Sequence, residues 1–255
     1  MKSRKSQKNP SKGFLIVASK TINFYRYALN LIESLKDYYP EAKTCLVTEE
    51  RFCDGRENSA DYVIHCGDDS REKLWALSRS PFDITMYIDA DAYINHEDIK
   101  TAFDYVGDND LVMVKLPDEA NRFFMIRTWP GGEMKYTGGV FIYNFANPIV
   151  KDFMVDWDYY YHAAKRKEWW PDYKEGKPDY DLHPAHLSDW DQFTLSWLID
   201  KNPKYKDLKI GSFKDEYRWN WYSTYGKSKT VSDAINPENK PPIVFHWSDK
   251  IDKGY

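Results

Sequence analysis

The chain has 255 residues, 42% of them hydrophobic and 30% charged, which suits one soluble globular domain with a substantial core. Its formal net charge of −4 disfavours a broad nucleic-acid-binding surface. No apolar run approaches the roughly 20 residues of a membrane span, so we expect no membrane-spanning helix.

The amino-terminal segment is polar and basic, and the apolar run after it is too short for the core of a signal peptide. We predict a disordered basic tail over residues 1–12 and a single domain over residues 13–255. The cysteines lack the spacing of a metal site, so we expect free thiols and a cytoplasmic protein. They are Cys45, Cys53 and Cys66.

Short apolar runs alternate with helical patterns over the first hundred residues, which predicts an α/β fold with a mostly parallel central sheet. In such sheets, ligands bind beyond the carboxyl ends of the strands. The predicted elements are strand 14–18, a helix from Thr21 or Asn23 to about Pro40, strands 44–48 and 62–65, and a helix over 71–80.

The rest of the chain continues this alternation but includes two segments without periodicity. We predict that these segments, 117–135 and the Trp-rich 168–188, cover a functional site. The other predicted elements are helix 95–105, strand 110–116, strand 136–143, helices 150–167 and 189–199, and strand 243–247.

The apolar stretch 82–91 ends in two carboxylates, Asp89 and Asp91, separated by Ala90. If the stretch is a strand, both side chains project to the same side. Two like charges about 5–7 Å apart repel each other unless a cation neutralises them. The alternative is an Asp-rich turn that caps a helix starting near Asn95.

A histidine late in the chain, His246, ends another apolar strand. With Asp89 and Asp91 it would form an octahedral-type site for Mn²⁺, and Mg²⁺ would fit the oxygens nearly as well. The alternative for His246 is a hydrogen-bonded histidine of the core.

Other candidates each have a functional and a structural interpretation. Lys73, before the Asp89 strand, could contact a phosphate or be solvated. The pair Gly138-Gly139 permits close approach to a ligand or forms a bulge, and Asp191-Gln192 faces a sugar or opens a helix. Trp219-Asn220-Trp221 suits a core. A zinc site at His183 and His186 is disfavoured because no third strong ligand is placed nearby.

Five blocks follow one another along the chain at suitable distances: Val17 to Tyr25; Lys73 to Leu77 with Tyr87 to Asp91; Tyr136 to Tyr143; Asp191-Gln192; and Ile243 to His246. Together they resemble the GT-A glycosyltransferases, most closely the glycogenin and galactosyltransferase-like group, glycosyltransferase family 8. The resemblance implies a GT-A fold and transfer of a sugar, with retention of configuration, from a nucleoside diphosphate donor such as a UDP-sugar. The acceptor, whether glycan, protein or small molecule, stays open.

The resemblance also implies roles for individual residues. It implies metal binding by Asp89, Asp91 and His246, and a position beside the reacting sugar for Asp191 and Gln192. Donor contacts are implied for Val17, Ala18, Ser19, Tyr25, Lys73, Ala90, Gly138, Gly139 and Lys250.

The chain departs from the family pattern at two places. Thr137 and Gly138 replace an Asn-Ser pair that usually contacts the sugar, and the segment after His246 lacks the family's Gly and Lys-Pro-Trp. These departures leave open the donor sugar and the contribution of Lys250. They also keep a second hypothesis, a nucleotide-sugar or carbohydrate-binding protein without turnover.

A third hypothesis is an Asp-x-Asp phosphohydrolase. It is disfavoured because such enzymes place the pair in their first strand, whereas this pair lies at Asp89 and Asp91.

Overall fold

A computed structural model describes residues 11–68, 71–115, 135–166, 168–169, 191–223 and 229–246. Its strands, numbered in chain order, are β1 (Lys12–Ala18), β2 (Thr44–Thr48), β3 (Tyr62–His65), β4 (Ile84–Asp89), β5 (Ala92–Ile94), β6 (Leu111–Lys115), β7 (Tyr136–Asn144), β8 (Ile210–Ser212), β9 (Trp221–Tyr222) and β10 (Val244–His246). The α-helices are α1 (Ile22–Tyr38), α2 (Glu72–Leu77), α3 (Pro148–Lys165), α4 (Asp191–Asp200), α5 (Glu216–Trp219) and α6 (Lys229–Ile235). Short 3₁₀ helices span Glu50–Phe52, Arg56–Ser59, Glu97–Tyr105 and Pro203–Tyr205.

The central sheet has seven strands in the order β3-β2-β1-β4-β7-β6-β8. Four of its six pairings are parallel, and β7 runs antiparallel to both of its neighbours. The α/β fold with a mostly parallel sheet, expected from the alternating pattern, is therefore confirmed.

Both faces of the sheet are covered, as is typical of parallel strands. In β1, Phe14 and Ile16 pack into one hydrophobic cluster with α1, whereas Leu15 and Val17 pack into a second cluster with α3. Because both faces are buried, the carboxyl ends of the strands are where this layered core can open to a ligand.

A second, three-stranded sheet has the order β5-β10-β9. Strand β10 pairs antiparallel with β5, which places His246 opposite Ala92, the residue that follows Asp91. It also pairs in parallel with β9, which places His246 beside Tyr222. This small sheet brings the late histidine to the end of β4.

The predicted helix near Asn95 is a 3₁₀ helix whose N-terminal cap is His96, since the His96 side chain accepts a hydrogen bond from the Asp98 N–H. The Asp-rich turn is therefore not what caps it. Helix α2 is shorter than the predicted 71–80 and ends at Leu77. Helix α3 begins at Pro148, with Asn147 as its cap, two residues earlier than predicted.

Two segments of interest lie largely or wholly beyond the described part of the chain. Of the two segments expected to cover the site, residues 117–134 and 170–188 lie outside it, and these include His183 and His186. Of the predicted tail, Ser11 and Lys12 are described, and Lys12 is the first residue of β1. No helix among the described residues is long and apolar enough to cross a membrane.

Candidate active site

A cleft of about 490 Å³ opens beyond the carboxyl ends of β1 and β4. One side is formed by the end of β1 and the start of α1, and the other by the start of α2 and the last turns of α3. The lining residues are Val17, Ser19, Lys20 and Phe24 on the first side; Arg71, Glu72, Lys73, Tyr161 and Lys165 on the second; and Tyr87, Asp89, Ala90 and Asp91 between them. The cleft therefore lies where the sheet topology predicts a ligand site.

Asp89, Asp91 and His246 form a compact group of potential metal ligands. Each offers one ligand atom, and these atoms lie within 4.8 Å of one another. His246 is 1% exposed, and its Nε2 has no hydrogen-bond partner among the described residues. A buried imidazole nitrogen normally has a partner, so a cation held with the two carboxylates would account for it. Two oxygens and one imidazole suit Mn²⁺ or Mg²⁺.

Lys73 connects this group to the start of α4. Its Nζ lies 2.6 Å from Asp191 Oδ2 and 3.5 Å from Asp89 Oδ1, and it donates a hydrogen bond to the Gly138 carbonyl at 2.9 Å. The Tyr87 hydroxyl donates a second hydrogen bond to Asp89 Oδ1 at 2.7 Å. A cation between two carboxylates, fixed by a backbone carbonyl, is therefore built into the wall of the cleft.

The two aspartates beside Lys73 have pKa values shifted in opposite directions. Burial raises the pKa of Asp89; Lys73 opposes that shift and Asp91 adds to it. Burial also disfavours the charged form of Asp191, but Lys73 and Arg71 outweigh it and lower the pKa of that carboxyl. The surroundings of Asp191 thus favour its charged form, whereas burial and Asp91 disfavour the charged form of Asp89.

The glycine pair of β7, Gly138 and Gly139, lies against the carboxylates of Asp191 and Asp89. A Cβ atom on Gly139 would be 3.0 Å from Asp89 Oδ2, and one on Gly138 would be 3.4 Å from Lys73 Nζ and 3.6 Å from Cγ of Gln192. Contacts near 3.0 Å are tighter than side chains normally make. The absence of side chains here lets the carboxylates and Lys73 approach the strand closely.

The first predicted block is only partly brought to the cleft. Val17 and Ser19 line it, whereas Ala18 is buried and is not among the lining residues. Phe24 lines the cleft, but Tyr25 is buried, with its hydroxyl 3.0 and 2.9 Å from carboxylate oxygens of Asp54 and Glu57. Lys250 lies outside the described residues.

Several residues at the cleft escaped the sequence analysis. Lys20 has a left-handed backbone with φ of 78°, and its N–H donates a hydrogen bond to the buried Glu49 carboxylate at 2.5 Å. Arg71 contributes to the lowered pKa of Asp191, and its guanidinium lies 6.0 Å from the ring centre of Tyr161. Lys165 lies 5.9 Å from the same ring.

No protein-family model and no curated protein sequence matches this chain. Solved structures do match. The galactosyltransferase LgtC, in complex with donor and acceptor sugar analogs, superposes with a TM-score of 0.56 at 14% identity, over 93% of this chain and 87% of that one. The glycosyltransferase GlyE of Streptococcus pneumoniae TIGR4 superposes with a TM-score of 0.57 at 14% identity, over 94% of this chain.

The chain has the GT-A glycosyltransferase fold. The fold implied by the five sequence blocks is therefore confirmed. The match to GlyE covers 55% of that protein, so this chain is similar to little more than half of it. At 14% identity the likeness establishes the fold, and the chemistry has to be argued from the residues of the cleft.

Proposed function

We propose that this protein is a metal-dependent glycosyltransferase that moves a sugar from a nucleoside diphosphate donor of the UDP-sugar class to an acceptor. The observation that carries the proposal is the position of Lys73. Its ammonium group lies between the Asp89–Asp91–His246 group and the buried anion of Asp191, inside the cleft of a GT-A fold. A metal site alone would suit many reactions. A cation fixed between a metal site and a second carboxylate suits the transfer of a group away from a diphosphate.

The metal ligands would be Asp89, Asp91 and His246, with Mn²⁺ favoured and Mg²⁺ as the alternative ion. When bound, the ion supplies Lewis-acid stabilisation of the charge that grows on the diphosphate as the anomeric C–O bond breaks. The raised pKa of Asp89 and the unpartnered Nε2 of His246 support this assignment.

The chain's own residues would bind and orient the donor. The ring of Phe24 is available to stack on the base, with Val17 and Ser19 beside the nucleoside. Lys73 supplies a fixed positive charge to the leaving diphosphate. Gly138 and Gly139 let Lys73 and the carboxylates lie close to β7, which fixes these groups beside the donor.

Asp191 is suited to an electrostatic role. Its lowered pKa means that it stays ionised, so it can stabilise positive character at the anomeric carbon or accept a hydrogen bond from a sugar hydroxyl, but it is a poor proton donor. Gln192, the next residue of α4, would orient the sugar or the acceptor. The resemblance to family 8 favours retention of configuration.

The first experiment is a thermal-shift screen of nucleotide sugars with Mn²⁺, because a ligand that binds the folded state raises the unfolding temperature. A donor found in this way is then used in assays of hydrolysis and transfer. Asp89→Asn should abolish both activities. Asp83→Asn is the matched control, since Asp83 precedes the other end of β4 and binds Ser11 through its carboxylate.

The outcomes separate the hypotheses. Normal turnover by Asp89→Asn would contradict the metal assignment. Donor binding with neither hydrolysis of the donor nor transfer to any tested acceptor would support a binding protein. Release of phosphate from simple monoesters would support a phosphohydrolase.

A further inference from the structure

Asn220 is a buried residue beside the candidate metal centre. Its side chain is 3% exposed, and it lies immediately before β9, which pairs with the strand that carries His246. Its amide oxygen, Oδ1, is buried and has no hydrogen-bond partner among the described residues. An amide carbonyl of this kind normally has a partner, so its isolation calls for an explanation.

The orientation of the Asn220 amide is fixed by its nitrogen. Nδ2 donates to Thr137 Oγ1 at 3.0 Å and to the Tyr222 hydroxyl at 3.4 Å. Both amide protons are therefore committed, and the oxygen has to point the other way. Thr137 Oγ1 also accepts a hydrogen bond from the N–H of Gly139, so the Asn220 side chain is linked through Thr137 to β7.

The Asn220 oxygen lies beside two members of the metal group. Seen from the position that a Cβ of Gly139 would take, Asp89 Oδ2 lies at 3.0 Å, and Asn220 Oδ1 and His246 Cε1 each lie at 3.4 Å. The ring of Tyr222, whose hydroxyl receives the amide proton, packs against the His246 ring with centroids 5.0 Å apart. Two buried polar atoms without described partners, Asn220 Oδ1 and His246 Nε2, thus occur around one glycine.

Two buried tryptophans flank Asn220. Trp219 is buried and stacks on Phe213 with centroids 4.5 Å apart, and Trp221 is buried in a separate small cluster. The two side chains anchor the backbone on either side of Asn220. The tryptophans therefore belong to the hydrophobic core, as the core interpretation of this segment expected. Asn220, between them, lies beside Asp89 and His246.

We infer that Asn220 is a positioning residue of the metal centre, whose amide oxygen accepts a hydrogen bond from a water molecule on the bound cation. The inference rests on the proposed metal site. Polar groups in the outer shell of a metal hold its ligands in place, and their loss typically weakens metal binding about 10–100-fold. A neutral acceptor suits this position, because Asp89 and Asp91 already supply two negative charges.

The test is a titration of the metal-free protein with Mn²⁺. The concentration of free Mn²⁺ is measured at each step by electron paramagnetic resonance, which gives the dissociation constant. Asn220→Ala should bind Mn²⁺ at least about tenfold more weakly than the wild type. Asn220→Asp should bind it more tightly, because a third carboxylate then faces the cation. The relaxation of water protons by bound Mn²⁺ should also change in Asn220→Ala, a readout that a purely structural role would not affect.

The matched control is Asn236→Ala. Asn236 is also a buried asparagine, but both ends of its amide are hydrogen-bonded to Lys240, so its replacement should leave the affinity for Mn²⁺ unchanged. If Asn220→Ala does not fold, Tyr222→Phe replaces it. This variant keeps the ring against His246, removes one anchor of the amide and should weaken Mn²⁺ binding severalfold.

The inference is overturned if the Asn220 variants bind Mn²⁺ as the wild type does, or if Asn236→Ala loses as much affinity as Asn220→Ala. A wild-type protein that binds no Mn²⁺ would instead refute the metal site itself, and this role with it. Failure of the inference is thus distinguishable from failure of the proposed function.

Discussion

A charge cluster lies at each end of the strands of the central sheet, and the two clusters have opposite arrangements of charge. Near the amino ends of β2 and β3, Asp61 lies between two lysines, 2.7 Å from Lys43 and 3.0 Å from Lys36. At the carboxyl ends, Lys73 lies between two aspartates, 2.6 Å from Asp191 and 3.5 Å from Asp89. Both clusters consist of lysine and aspartate side chains, but their surroundings differ.

At the amino end the charges are satisfied and partly solvated. Asp61 is 21% exposed and also accepts hydrogen bonds from the N–H and the hydroxyl of Thr44, so both of its carboxylate oxygens have partners. In the cleft, Lys73 and Asp191 are only 13% and 10% exposed, and buried atoms of His246 and Asn220 lack described partners. We interpret the cluster around Asp61 as one that stabilises the fold, and the cluster around Lys73 as part of a ligand site.

The largest expected effect comes from breaking the buried cluster. Lys73→Ala would leave Asp89 and Asp191 without their shared cation and should lower the free energy of unfolding by about 3–5 kcal/mol. Chemical denaturation measures this. Lys43→Ala, at the solvated cluster, should cost no more than about 1 kcal/mol, and equal losses in the two variants would contradict the distinction between the clusters.

The next effect separates the ends by their response to a metal. Saturating Mn²⁺, at about 100 times its dissociation constant, should stabilise the wild type by about 2.7 kcal/mol. Asp89→Asn should lose most of this gain, which thermal unfolding with and without Mn²⁺ can detect. Asp61→Asn should keep it, and an equal response of all three proteins would contradict a site at Asp89.

A smaller effect is expected from filling the space at Gly139. Gly139→Ala places a methyl group 3.0 Å from Asp89 Oδ2, and such overpacking should cost about 1–3 kcal/mol and weaken Mn²⁺ binding. Gly211→Ala, on β8, is the control, since the three atoms nearest to its methyl group would all belong to the Asn109 side chain, the closest at 2.5 Å. It should cost stability but leave Mn²⁺ binding intact, as calorimetry of both variants can show.

The smallest effect sharpens the comparison at the amino end. Burial opposes ionisation of Asp61, but Lys43, Lys36 and the Thr44 N–H outweigh it and lower its pKa below the ordinary value of 3.8. A lowered pKa contributes stability above pH 3.8, which is lost as the pH falls toward the folded-state pKa. Asp61→Asn should therefore cost about 1 kcal/mol near pH 7, and the difference from the wild type should shrink below about pH 4. Denaturation curves across this range check the sign.

Most of the fold and the central carboxylates follow from local patterns. Strands β1 to β4 contain short apolar runs bounded by polar residues, and Asp89 and Asp91 stand at the end of β4. These signals depend on neighbours in the sequence, so sequence analysis can find them.

The strands that complete the site are different. Strands β5 and β9 have three and two residues, too few for a periodic pattern. The approach of Arg71 and Lys165 to Tyr161 depends on how α2 and α3 pack, which residue order alone does not reveal. Tyr25, however, continues the buried stripe of Ala28 and Ile32 on α1, so helical periodicity could have indicated that Phe24 is the residue facing the cleft.

Because His246 pairs with Ala92, the candidate site depends on a contact between residues far apart in the sequence, which affects when it forms during folding. Strand β10 closes one of the longest loops of the described chain when it docks on β5, and such distant contacts form late because their closure entropy is high. We therefore expect the candidate metal centre to be incomplete until β10 has docked, so that uptake of a cation would report a late step of folding. Stopped-flow refolding with Mn²⁺ should show metal binding in the last phase, and binding in an early phase would contradict this order of assembly.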